Sequence, residues 1–115
     1  MKVLVTGGRG YADKEFLYSF MDHIHSGDRI HMVIHGAAAG ADSLAGQWAR
    51  DRGVQEVVCP ANWNKHGRRA GYLRNSAMAD LGPDKVIAFP GGTGTNMMVE
   101  IADERGIAVI HASDY

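Results

Sequence analysis

The chain has 115 residues, 45% hydrophobic and 22% charged, with 12 Lys and Arg against 13 Asp and Glu for a formal charge of −1. That balance describes one folded domain and excludes both disorder and a global basic field for nucleic acid. The apolar runs fall far short of the roughly 18–20 residues that cross a bilayer, MKVLVTGGRG reaches glycine too early for a signal-peptide core, and the lone Cys59 rules out an intrachain disulfide or a cysteine zinc cluster.

Lys2 to Thr6 (KVLVT) reads as the first strand and ends at Gly7, Gly8 and Gly10. Ala12 to Ser26 carries Phe16, Leu17, Phe20, Met21 and Ile24 at near-helical spacing. Ile30 to His35 is the second strand, and the small-residue stretch GAAAGAD leads into a helix from Asp42 to Arg52 with Gly53 as its C-cap. Glu56 to Cys59 is a short third strand stopped by Pro60, and residues 61–66 read as loop. A helix is expected over Arg68 to Leu81, and Lys85 to Phe89 (KVIAF) is the fourth strand. The run PGGTGT separates it from a helix over Asn96 to Arg105, and Ile107 to Ile110 is the fifth strand, leaving too few residues for a full final helix.

Strands alternating with helical segments mark an α/β domain over residues 1–115. Continuous apolar runs such as VIAF call for strands covered on both faces, hence a parallel sheet between two helical layers. Right-handed crossovers make 3-2-1-4-5 the expected order, with ligands bound beyond the strand ends where the order reverses. Both loops flanking that reversal, GGRG and PGGTGT, are glycine-rich.

Glycine stands at 15 residues, nearly twice the usual share of about 7%. In Pro90-Gly91-Gly92-Thr93-Gly94-Thr95 the glycines let backbone N–H groups approach a phosphate, and the next helix adds its N-terminal donors. Thr93 and Thr95 can donate hydroxyls, or Thr95 can cap the helix. No Gly-Lys-Ser/Thr follows, so this is not a Walker A loop. In the first loop, Gly7 and Gly8 form a second candidate nest, Arg9 is either an anion clamp or an exposed loop residue, and Tyr11 is either a ring contact or helix-start packing. In the second, Gly36 and Gly40 permit close approach, while Asp42 either caps the helix or meets a ribose hydroxyl.

Ala61 to Ala79 contains no Asp or Glu but holds Lys65, Arg68, Arg69 and Arg74, with His66 alongside, a balance suited to a phosphorylated small molecule or to a solvated helix face. Arg68 and Arg69 read as rim residues and Arg74 as the better site candidate. Trp63 and Tyr72 can stack on a base or pack as core. The histidines form no metal signature, so no metal or cofactor is expected, and Cys59 reads as an inert thiol.

The blocks GGRGY, HGAAAGADSLAGQWARDRG, PANWNKHGRRAGYLRNSAMAD and VIAFPGGTGT resemble the YspA/YpsA-related branch of the SLOG superfamily over nearly the whole chain. The resemblance implies a Rossmann-like three-layer fold that binds a nucleotide or nucleotide-derived phosphorylated ligand at the glycine loops, as an isolated sensor module. It implies a site drawn from Gly7, Gly8, Arg9, Tyr11, Gly36, Gly40, Asp42, Arg74, Asn75 and Pro90 to Thr95. Lonely Guy enzymes of the same superfamily hydrolyse the N-glycosidic bond of nucleoside 5′-monophosphates, which gives the alternative reading. Arg74-Asn75-Ser76-Ala77-Met78 is similar to their R-K-x-x-M segment.

Their motif PGGxGTxxE matches up to Thr95, but Met98 stands where it has Glu. Glu100 lies about 200° further around the helix, so the carboxylate for catalysis beside Arg74 falls to Glu100 or Asp42. A DNA-accessory role like that of DprA ranks third. The resemblance also brings in a homodimer, since Lonely Guy relatives are dimeric, and a phage source with a host-cytoplasmic setting. No membrane partner is expected.

Overall fold

The computed structural model describes residues 1–112, the side chain of Arg68 excepted. The rim position expected of the Arg68 side chain, and residues 113–115, therefore lie outside the described residues. Five strands, β1 (Lys2–Thr6), β2 (Met32–His35), β3 (Gln55–Val58), β4 (Lys85–Ala88) and β5 (Ala108–His111), form one parallel sheet in the order β3-β2-β1-β4-β5. Between them run α1 (Lys14–Gly27), α2 (Ala41–Asp51), α3 (Trp63–His66), α4 (Ala70–Asp80) and α5 (Thr93–Glu104), with a 3-10 turn over Gly67–Arg69. This is the expected Rossmann-like three-layer arrangement.

Alternation along β1 builds two cores, because successive side chains leave a strand on opposite faces. Val3 and Val5 pack with Leu17, Phe20 and Met21 of α1 and Trp48 of α2. Leu4 faces the other way, with Ile34, Val86, Met78 of α4 and Met98 and Ile101 of α5. The central strands are therefore buried on both sides, and the edge strands β3 and β5 only in part. Trp48 is fully buried, and its indole N–H donates to Asp22 at 2.8 Å. Arg52 grips both oxygens of that carboxylate at 2.9 Å, tying α2 to α1 and holding Asp22 below the usual aspartate pKa.

Most element ends fall within a residue or two of expectation, which is ordinary fraying. Two differences matter. Residues 61–66 are not all loop: the Asn62 side chain accepts from the Lys65 N–H at 3.0 Å and caps the short α3. And α5 begins at Thr93 rather than Asn96, although Thr and Gly are weak helix formers. Tertiary contacts hold that first turn: Thr95 is buried, and Asn75 of α4 donates to the Gly94 carbonyl at 3.3 Å.

The loops at the carboxyl edge of the sheet interlock through backbone. Gly40 has φ 78°, and a Cβ there would collide with the Gly8 carbonyl oxygen and lie 2.6 Å from that of Arg9. Gly53 has φ 69° with open space around it. Gly53→Ala is expected to cost only the left-handed strain, about 1–2 kcal/mol, and Gly40→Ala at least about 1 kcal/mol more from overpacking. Urea denaturation of the two variants checks this, and equal losses would contradict a tight loop interlock.

Candidate functional site

The first cavity, about 410 Å³, opens at the carboxyl ends of β1 and β4, where the strand order reverses. Of the residues expected at a site, Gly7, Gly8, Arg9, Asp42, Arg74, Asn75, Gly92, Thr93, Gly94 and Thr95 all line it. Trp63, Ala38, Gly71 and Met78, all within the motif blocks, also line it, together with Met97, which the motif reading had not singled out. A second cavity of about 290 Å³ lies toward β2 and β3 and shares Arg9, Ala38, Trp63 and Arg74 with the first. Gly36 lines this second space.

Other candidates lie elsewhere. Pro90, Gly91 and Glu100 line a separate hollow of about 450 Å³ on the β5 side of the loop, with Thr95 as the residue common to it and the first cavity. Met98 is fully buried in the second core. The Tyr11 ring packs on Phe89 at 5.4 Å between centroids, with its hydroxyl buried and unpartnered among the described residues, so it supports the loop from beneath. Gly40 and Gly91 act as spacers: a Cβ on Gly91 would stand 2.6 Å from the Gly8 nitrogen.

The first turn of α5 is the most anion-ready feature. Among the described residues no side-chain hydrogen bond caps the helix, its first turn carries no acidic residue, and Gly92 and Gly94 have open space where a Cβ would point. Uncapped N–H donors and the positive end of a 12-residue helix dipole therefore meet at the cavity. Across it, Arg74 donates from Nη1 to the Gly36 carbonyl at 2.6 Å and from Nε to Asn75 Oδ1 at 2.9 Å. The guanidinium is thus oriented by neutral acceptors, and among the described residues no carboxylate forms an ion pair with it. Arg9 is exposed at the rim.

Asp42 is neither a cap for its own helix nor free. It is buried, and Oδ2 accepts the Gly36 and Ala38 N–H groups at 2.9 and 3.3 Å, so it anchors the loop after β2. Burial raises its pKa above the usual 3.8, opposed by those two N–H bonds and by the charge of Arg74. Ala37, in the same loop, holds φ 62°, a strained value for a residue with a Cβ. Its N–H donates to His35 Nδ1 at 3.0 Å, which places the ring proton on Nε2, facing Glu56 at 2.6 Å. Arg50 holds the other Glu56 oxygen at 2.6 Å. The His35 bond, with that of Arg50 behind it, keeps the Glu56 carboxyl below its usual pKa against burial. This supporting cluster left no local signal, since His35 and Glu56 stand 21 residues apart. Among the described residues no group of His, Cys, Asp or Glu could hold a metal ion, and no helix is long and apolar enough to cross a membrane.

The model of the YspA, cpYpsA-related SLOG family (YAcAr) matches residues 1–66. The Gene 61 protein of Mycobacterium phage D29 is 37% identical over 121 residues, spanning 98% of this chain and 97% of that protein. No solved structure matches the chain.

The raised Asp42 pKa means that the native state holds this proton more tightly than the unfolded chain does. The associated stability is full below pH 3.8 and is lost as pH rises through the native value. Wild-type stability relative to Asp42→Asn is therefore expected to fall as pH rises above about 4, measured by denaturant titration across pH. Asp42→Ala, which strips the acceptor from the buried Gly36 N–H and the half-buried Ala38 N–H, is expected to cost about 1–3 kcal/mol. A relative stability that rises with pH would contradict the raised pKa and show the N–H bonds and Arg74 outweighing burial.

Proposed function

Because this chain belongs to the YspA, cpYpsA-related SLOG family, which points to a nucleotide-related role, we propose that it binds a phosphorylated nucleotide or nucleotide derivative and acts as a ligand-sensing module. The observation that carries this reading is the uncapped first turn of α5, opening with Gly92 and Gly94 on a cavity that also presents Arg74 and Arg9. A phosphate there accepts backbone N–H bonds from a helix N-terminus and a charge-assisted bond from Arg74.

Cleavage of the N-glycosidic bond needs a carboxylate beside the ribose to stabilise positive charge or activate water. Among the described residues lining the first cavity, that carboxylate is Asp42, whose Oδ2 already serves two N–H groups. Glu100 lines a different hollow. These placements favour binding without turnover. Any partner protein that receives the signal, and a homodimer, belong to the same proposal.

Calorimetric titration tests it. Nucleoside 5′-monophosphates are expected to bind saturably and at least about tenfold more tightly than the matching nucleosides, a difference of about 1.4 kcal/mol. Arg74→Lys is expected to weaken binding because a point charge replaces the fixed donor fork. Equal affinity with and without phosphate contradicts the anion site, and release of ribose 5-phosphate from a monophosphate establishes the hydrolase instead.

A further inference from the structure

The loops after β2 and β3 present a second, smaller space that the phosphate reading leaves unused. Its walls are Ala37, Ala38 and Ala39 after β2 and Pro60 and Ala61 after β3. Trp63, half exposed, lines both this space and the first cavity, as do Arg9, Ala38 and Arg74. Val58, Tyr72 and Leu81 are also exposed, and what sets Trp63 apart is that it alone of these lines the two cavities. The position is also built: Asn62 caps the turn that carries Trp63, and a Cβ on Gly71 of α4 would lie 3.5 Å from Cη2 of the indole. The ring is thus seated against α4 at one edge and half exposed overall.

We propose that this second space is the base subsite, in which a purine stacks on Trp63 over the alanine loop. The inference rests on the phosphate reading above. With the phosphate at the α5 turn beside β4, a nucleotide running along the carboxyl edge crosses β1 and brings its base to the loops of β2 and β3. The alanine and proline side chains offer no hydrogen bonds, the charged side chains lining this space are Arg9 and Arg74, and stacking on Trp63 supplies the contact area. That favours the two-ring purines over pyrimidines. The strained Ala37, fastened by His35 to Glu56, keeps this wall in place.

The test compares a purine nucleoside 5′-monophosphate, a pyrimidine one and ribose 5-phosphate on wild type, Trp63→Ala and Trp63→Phe, by calorimetry and by Trp63 emission. Trp48, the second of the two tryptophans, is fully buried and supplies a constant background. Wild type is expected to bind the purine nucleotide at least about fivefold more tightly than ribose 5-phosphate, with quenched emission. Trp63→Ala is expected to bring the purine nucleotide close to the affinity of ribose 5-phosphate while weakening the latter far less, and Trp63→Phe to fall between. Ribose 5-phosphate binding as tightly as the purine nucleotide to wild type overturns the base subsite alone. So does a pyrimidine preference, or equal weakening of both ligands by Trp63→Ala. Failure of every compound to bind overturns the phosphate site and this inference with it.

Discussion

Backbone approach at Gly8 governs the carboxyl edge of this sheet. Its N–H donates to the Pro90 carbonyl at 2.8 Å, and its own carbonyl accepts from Ala41 and Tyr11, each at 3.2 Å. One peptide segment thus joins the loop after β1 to the loop after β4 and to the start of α2. Side chains on Gly40 or Gly91 would enter that junction. The glycine excess is partly explained here: these residues allow three chain segments to meet without intervening atoms, which a hydrogen-bonded backbone tolerates and a Cβ does not.

That junction leaves the helix start free for a ligand. With the PGG turn held by Gly8, α5 begins on the cavity, and Asn75 fixes its first turn from α4. The same Asn75 orients Arg74, whose other bond reaches the Gly36 carbonyl. The Gly36 N–H is held in turn by Asp42. A chain of neutral and charged hydrogen bonds therefore runs from the α5 turn to the β2 loop, and the guanidinium is positioned before any anion arrives. Such preorganisation lowers the ordering cost of binding.

Much of the fold was legible in the sequence, because a run such as KVLVT alternates between two apolar faces and glycine or proline punctuates each strand. The start of α5 was not. Thr-Gly-Thr has poor intrinsic helix preference, and the Asn75 contact that helps hold it comes from 19 residues away. Within the site, the glycine loops and Arg74 could be read from local pattern and resemblance, as could the mismatch between Met98 and Glu100, which the helix does turn to different surroundings. The role of Asp42 could not, since a carboxylate two residues into a helix looks like a cap until the preceding loop folds back on it. The His35–Glu56–Arg50 cluster was invisible for the same reason: its members meet only when β2, β3 and α2 pack.

The central claim is that the interlocked loops hold the uncapped first turn of α5 open to an anion beside Arg74. Amide chemical shifts of ¹⁵N-labelled protein, followed while a nucleoside 5′-monophosphate is added, report on it most directly. The account requires the largest shifts at Gly8, Arg9 and the amides from Gly92 to Thr95. Shifts confined to Asn96, Val99, Glu100 and His111, around the separate hollow on the β5 side, would contradict it.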